Sequence, residues 1–266
     1  QGNELFPPIL MDVADGNNAP FLVADFLSKS ISQSTVAALA ENTITITIAT
    51  RSMLVGRYKT SITVSGLLGS GTPGTNKKIS LSPTNSPFGP FCRWYQSAGQ
   101  IILKVMNEEG TVARQPYVLS FVVQNGAQMQ TARSITISAN YQHYLDFRFN
   151  GPWIKKTVMS NDVGLAAPML IAGFDTAHMS QTSAILGSQN TLTLNVSTNV
   201  DVNVTLFPSL SFKIAGLVGS ETPSGSSKVA LLGQSGRSDP PKMTSGMRSG
   251  KNMKIRWKIN AKMGGF

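Results

Sequence analysis

The sequence predicts an all-β protein made of two tandem β-sandwich units, and three observations carry that expectation. Residues 43–48 read T-I-T-I-T-I, which sets Ile44, Ile46 and Ile48 on one side and Thr43, Thr45 and Thr47 on the other. Period-two alternation of β-branched residues is the signature of a strand buried on one face. A long stretch of the chain also occurs twice at a constant offset. Finally, short apolar runs alternate with Gly-, Pro- and Asn-rich turns throughout, with no long helical pattern between them.

The repeat is the most informative of the three. Ala19 opens A-P-F-L-V-A-D-F, followed by Ser32-Gln33 and N-T-I-T-I-T-I-A-T; Ala167 opens A-P-M-L-I-A-G-F, followed by Ser180-Gln181 and N-T-L-T-L-N-V-S-T. The offset is 167 − 19 = 148 and needs no gap across 19–50 and 167–198. After a two-residue slip, S-G-L-L-G-S-G-T-P from Ser65 matches A-G-L-V-G-S-E-T-P from Ala215, and Lys78 and Leu81 fall on Lys228 and Leu231. Self-similarity at a fixed period marks a modular array, in which a unit is copied for reach, stiffness or valency. The identical residues are Asn, Thr, Gly, Pro and Leu rather than reactive side chains, so what is copied is a scaffold.

In chain order, strands are expected at 21–24, 43–47, 61–65, 78–82, 101–106, 118–123 and 134–138 in the first unit, with Leu192, Leu194 and Val196 repeating the alternation in the second. The expected units are 1–148, including a leading linker, and 149–266. Unit two stops level with about residue 114 of unit one. Strands matching 117–124 and 133–139 are therefore expected to be missing from it, supplied by a longer parent array or by another molecule. The stretch 253–259 is matched to 101–106 of the first unit on this count.

The chain has 266 residues and a net charge of +10, with 41% hydrophobic and only 14% charged residues. That is enough apolar content for real cores, and the abundance of Thr, Ser, Asn and Gly suits a surface or secreted protein better than a metabolic enzyme. The single cysteine, Cys92, cannot form an internal disulfide and reads as a small buried hydrophobe between Phe91 and Trp94. No apolar run reaches the length of a membrane-spanning helix.

Catalytic and metal chemistry find little material. His143 and His178 are isolated and sit at unmatched positions of the repeat, so no metal site and no cofactor are expected. Asp12, Asp15, Asn17 and Asn18 fit no definite calcium spacing. The Gly-rich G-L-L-G-S-G-T-P lacks the Lys-Ser/Thr ending of a phosphate loop and reads as a structural turn.

Two N-x-S/T triplets, at Asn195 and Asn203, are candidate glycosylation sites for a secreted chain. Most of the positive charge lies at the end of the chain. Lys228, Arg237, Lys242, Arg248, Lys251, Lys254, Arg256, Lys258 and Lys262 face one acid there, Asp239. Lys254, Arg256 and Lys258 alternate with Met253, Ile255, Trp257 and Ile259, which reads as a strand with one cationic face. With Lys251 and Lys262 they form a candidate interaction face for an acidic glycan or an acidic subunit, the alternative being a solvated face that discourages edge pairing. Trp153 and Ile154 occupy the repeat positions of Leu5 and Phe6, so an apolar contact between successive units is expected there, with 150–165 as linker.

The combined pattern of A-P-x-L, Ser-Gln, N-T-hydrophobic-T and G-L-x-G-S-x-T-P resembles repeats of very large extracellular surface proteins of unicellular algae and related protists. The resemblance covers 19–82 and 167–231. It implies an array of immunoglobulin-like sandwiches in a flagellar hair, scale, wall or other surface filament, with neighbouring repeats or copies of the same protein as partners and no catalytic residues. Two other readings stand beside it. One is an adhesive or carbohydrate-binding sandwich using Trp94, Tyr95, Tyr141 and Tyr144. The other is a viral coat-type protein with a basic tail, which accounts for the charge but not the repeat; nucleic acid is not expected as a partner.

Overall fold

A computed structural model of the chain describes residues 23–106, 108, 110–140, 152–185, 188, 190–200, 214 and 252–259. Strands dominate it. The first unit contains β1 (Phe26–Gln33), β2 (Glu41–Thr50), β3 (Ser61–Ser65), β4 (Thr75–Ser80), β5 (Phe91–Tyr95), β6 (Gln100–Lys104), β7 (Tyr117–Gln124), β8 (Thr136–Asn140), β9 (Pro152–Val158) and the short β10 (Ser160–Asn161). The second contains β11 (Phe174–Gln181), β12 (Asn190–Thr198) and β13 (Asn252–Ile259).

The first unit is a two-layer sandwich. One layer is a four-stranded sheet in the order β10-β1-β2-β7, the other a six-stranded sheet in the order β4-β5-β6-β3-β8-β9. All pairs are antiparallel except β10 on β1. The alternation seen in sequence sets the core. Ile44, Ile46 and Ile48 of β2 are fully buried and meet Leu119, Phe121 and Val123 of β7 in one layer. Ile62, Val64, Trp94, Ile101, Leu103, Ile137 and Ala139 come from the other layer. Each Val, Leu, Ile or Phe among these side chains, removed from water, stabilises the fold by about 1.5–3 kcal/mol before entropy is counted.

The described residues of the second unit form a three-stranded antiparallel sheet in the order β11-β12-β13. Its hairpin copies β1–β2 residue for residue at the offset of 148. Phe26 lies opposite Thr50 and Phe174 opposite Thr198; a register shift follows in each, setting Ser28 against Ala49 and Thr176 against Ser197. At the other end Gln33 pairs with Ile44 and Gln181 with Leu192.

Three expectations change. The strand at 253–259 is the counterpart of β7, not of 101–106: Asn42, Ile44 and Ile46 face Val123, Phe121 and Leu119, while Asn190, Leu192 and Leu194 face Ile259, Trp257 and Ile255. The second repeat is therefore not missing its match to 117–124; that strand is β13, reached by a shorter path through the chain. The seam between units also differs. Read from sequence it falls at 148/149, yet the first compact unit continues through Ile171 and the second resumes at Ala172, with Gln128–Thr131 grouped with the second. The physical reason is pairing: β9 extends β8, β10 lies along β1, and Ile154, Met159 and Met169 are buried in the first unit's core. The stretch 150–165 thus contains strands where a linker is expected.

Of the strand expected at 21–24, residues 21 and 22 lie outside the described residues and Val23 and Ala24 are not in a strand; β1 at 26–33 and β5 at 91–95 appear where none is expected. β1 reads F-L-S-K-S-I-S-Q, so few of its residues signal burial before its neighbours are known.

Candidate functional site

The side chains that recur between the units meet at one corner of the hairpin. Asn42, wholly buried, accepts hydrogen bonds at Oδ1 from the Ser34 and Thr35 backbone N–H groups at 3.1 and 3.4 Å. Its Nδ2 donates to Gln33 Oε1 at 3.0 Å, and the Thr43 N–H donates to Ser34 Oγ at 2.9 Å. The second unit repeats the lock. Asn190 Oδ1 accepts from Thr182 and Ser183 N–H at 3.0 and 3.1 Å, Asn190 Nδ2 donates to Gln181 Oε1 at 3.0 Å, and Thr191 N–H donates to Thr182 Oγ1 at 2.8 Å. The Asn therefore closes a hairpin connection whose backbone donors would otherwise be unpaired. This is why Asn-Thr and Ser-Gln/Thr recur together.

The first unit ties this corner further. Asn42 Nδ2 also donates to Asn125 Oδ1 at 2.8 Å, and Asn125 Nδ2 donates to the Ala37 carbonyl at 2.8 Å. Gln33 Nε2 donates to the carbonyls of Leu165 and Leu170 at 3.3 and 2.9 Å, fastening the segment after β10 onto the hairpin.

The Gly-rich turn docks beside Asn125. Ser70 Oγ and Gly71 N–H both donate to the Gln124 carbonyl, and Trp94 Nε1 donates to the Thr72 carbonyl at 3.0 Å. A Cβ on Gly126 would collide with the Gly69 carbonyl, so that position requires glycine. Ser70 Oγ, Gly71 N–H and Thr72 N–H are thus all spent inside the protein.

Trp94 is fully buried, which removes it from any glycan-facing platform; Tyr95 hydroxyl donates to Asn76 Oδ1, and Tyr141 and Tyr144 lie outside the described residues. Cys92 is 1% exposed, its thiol donates to the Ile79 carbonyl, and burial pushes its pKa from 9.0 to about 11. A thiol held protonated in an apolar core is a packing residue rather than a nucleophile. Among the described residues no cluster of His, Cys, Asp and Glu is arranged to hold a metal ion. No described helix is long and apolar enough to cross a membrane. An open cleft in the first unit is lined by Lys59, Thr60, Ser61, Ile102, Lys104 and Met106, among others, with no acid among its described walls.

The remaining candidates divide. Lys254, Arg256 and Lys258 stand on β13 opposite Asn195, Thr193 and Thr191 of β12, at the positions held in β7 by Val118, Ser120 and Val122. Three neutral register positions of one unit are thus held by three basic residues in the other. Lys251 and Lys262 lie outside the described residues, as do Leu5, Phe6 and Asn203. Asn195 sits in mid-strand between His178 and Lys254, and its buried Oδ1 has no hydrogen-bond partner among the described residues. Trp153 lies in β9. Ile154 is 2% exposed inside the first unit's core, opposite Ala139.

No family model matches the chain, and no curated protein matches it.

Proposed function

We propose that the chain is a structural segment of an extracellular filament or cell-surface layer, built from tandem immunoglobulin-like β-sandwich repeats and resembling the very large surface proteins of unicellular algae and protists. The observation that carries this reading is the hairpin lock, reproduced in both units with the same register and the same donor–acceptor pairs. A repeated scaffold without repeated reactive groups is what a load-bearing array needs, and an enzyme does not. The neutral, Thr-rich outer positions of β2 and the low overall charge suit contact with neighbouring repeats or copies.

A binding role for the second unit has one specific support. The strip of Lys254, Arg256 and Lys258 replaces Val118, Ser120 and Val122, and positive charge at regular spacing along a sheet suits an acidic polysaccharide or acidic subunit. On this reading the scaffold is also adhesive at that face.

The test of the structural reading is localisation. Antibody raised against the chain is expected to label the outside of intact cells that make it, on hairs, wall or scales. Signal appearing only after permeabilisation would contradict the proposal.

A further inference from the structure

The outer face of the six-stranded sheet carries a group of side chains that the hairpin lock does not use. Along β5, the alternation that buries Cys92 and Trp94 turns Phe91, Arg93 and Tyr95 to the other side. Lys78 of β4 pairs with Arg93, and Arg93 pairs with Ile102 of β6. The same register continued by two residues sets Phe91 beside Lys104. Lys78 and Lys104 are exposed, Phe91 is 50% exposed, and Arg93 and Tyr95 are half-buried. None of β3, β4, β5, β6 and β8 contains an Asp or Glu, so three positive charges share a face whose own strands offer no acid.

These groups are held in place. β4 carries a register shift between Thr75 and Lys77, and Asn76 within it has a φ of +56°, a conformation that Asn tolerates better than most residues with a Cβ. Both polar groups of Asn76 serve this face. Its carbonyl accepts a hydrogen bond from Arg93 Nη1 at 3.3 Å, and its Oδ1 accepts one from the Tyr95 hydroxyl at 3.1 Å. Arg93 spends one of its five N–H donors on this anchor, and among the described residues no other acceptor takes the rest. Lys78 Nζ lies over the Phe91 ring, 5.7 Å from its centre. Beyond β5 the face deepens, because Ile102 and Lys104 also line the cleft of about 520 Å³ that reaches Ser61 and Asn140. From β4 across to β3 the strip crosses three strand spacings, about 14 Å, which is room for a run of linked groups rather than a single ion.

From this arrangement we propose that the outer face of β4, β5 and β6 binds a carboxylate-bearing acidic polysaccharide, with Arg93 as its main contact. A planar guanidinium meets a carboxylate in a two-bond fork, Lys78 and Lys104 add point charges on either side, and the Tyr95 ring offers a sugar ring an apolar surface. The Ser and Thr hydroxyls on the same face of β3 and β8 suit the hydroxyls of the sugars. A nucleic acid is the poorer match, because bases stack on open aromatic faces and Lys78 already sits over Phe91. The site is built from the first unit alone and needs neither the basic residues of β13 nor the filament reading.

Calorimetric titration of the full chain with oligogalacturonate tests this, beside its neutral methyl ester and an oligothymidylate of the same charge. The expected result is salt-sensitive binding of the oligogalacturonate in preference to both, weakened about tenfold in Arg93→Ala and about threefold in Lys78→Ala. Arg93→Lys keeps the charge but loses the fork, and its affinity is expected to fall between those of the wild type and Arg93→Ala. Should Arg93→Ala fail to fold, the exposed Lys78→Ala and Lys104→Ala carry the same test, each about threefold weaker than the wild type. No binding at all overturns the proposal, as does equal binding of the methyl ester or tighter binding of the oligothymidylate. Wild-type affinity in a folded Arg93→Ala overturns it too; if that affinity is then lost when Lys254, Arg256 and Lys258 are jointly replaced by Ser, the glycan belongs to β13 instead.

Discussion

The two hairpins of this protein, β1–β2 and β11–β12, share a register, a register shift and an Asn-centred lock, yet differ in what surrounds them. In the first, Ile46 is fully buried beneath a six-stranded second layer, Gln33 is buried under a clamped segment, and Asn42 reaches Asn125. In the second, Leu194 and Val196 form a small cluster with Met179 and Ile214, and β11 is exposed along most of its length. The comparison separates two contributions that usually arrive together. Local polar closure of a hairpin is written into about ten residues and is copied with them; burial depends on what the rest of the chain brings.

Substituting matched positions breaks the comparison most sharply in the core. Ile46→Ala is expected to cost about 4 kcal/mol in denaturant unfolding, because the cavity lies inside a two-layer core, whereas Leu194→Ala costs about 1–2 kcal/mol at its less enclosed site. Equal losses would mean that the two sheets are equally covered. The lock comes next. Asn42→Ala leaves several buried groups unpaired and is expected to cost about 3 kcal/mol, against about 1 kcal/mol for Asn190→Ala, which lacks the link to Asn125. The difference should appear in the first unit's transition alone.

A third pair sharpens the account of how Gln33 fastens the segment after β10. Gln33→Ala is expected to destabilise by about 1–2 kcal/mol through loss of its two carbonyl partners, and Gln181→Ala by a few tenths of a kcal/mol. The smallest effect is a pH dependence confined to the first unit. Burial raises the Cys92 pKa above its unfolded value, so its contribution is fully present below pH 9.0 and is lost as pH rises toward about 11. Unfolding midpoints of the first unit should fall across that window in the wild type and not in Cys92→Ala. The second unit, which has no cysteine, should not respond through this group.

How much was legible in the sequence follows from the same contrast. β2 and β3 could be read directly because alternation of β-branched residues is a local signal, and the all-β character followed from it. β1 could not, since Phe26 and Ile31 are its main apolar anchors and its identity as a strand comes from pairing with β2. β9 reads P-W-I-K-K-T-V, and its two lysines make it resemble a linker until Ile154 is seen inside the core. β13 shows that alternation alone does not identify a strand's counterpart. Met253 to Ile259 fits any half-buried strand, and only the register against Asn190 and Leu192 equates it with β7. The repeated Asn-Thr and Ser-Gln were visible as a scaffold, but their joint role needed the Gln33–Asn42 bond across the hairpin. Trp94 looked like a surface aromatic because nothing local reveals that its indole N–H is satisfied by the Thr72 carbonyl.

Cross-strand amide contacts measured by NMR in the second unit test the central claim most directly, namely that one hairpin design was built twice. Gln181 should lie opposite Leu192, and Leu192 in turn opposite Trp257, each 148 or 136 positions beyond its partner set in the first unit. Contacts displaced by even one residue from that pattern would contradict the shared register, and with it the common origin of the two locks.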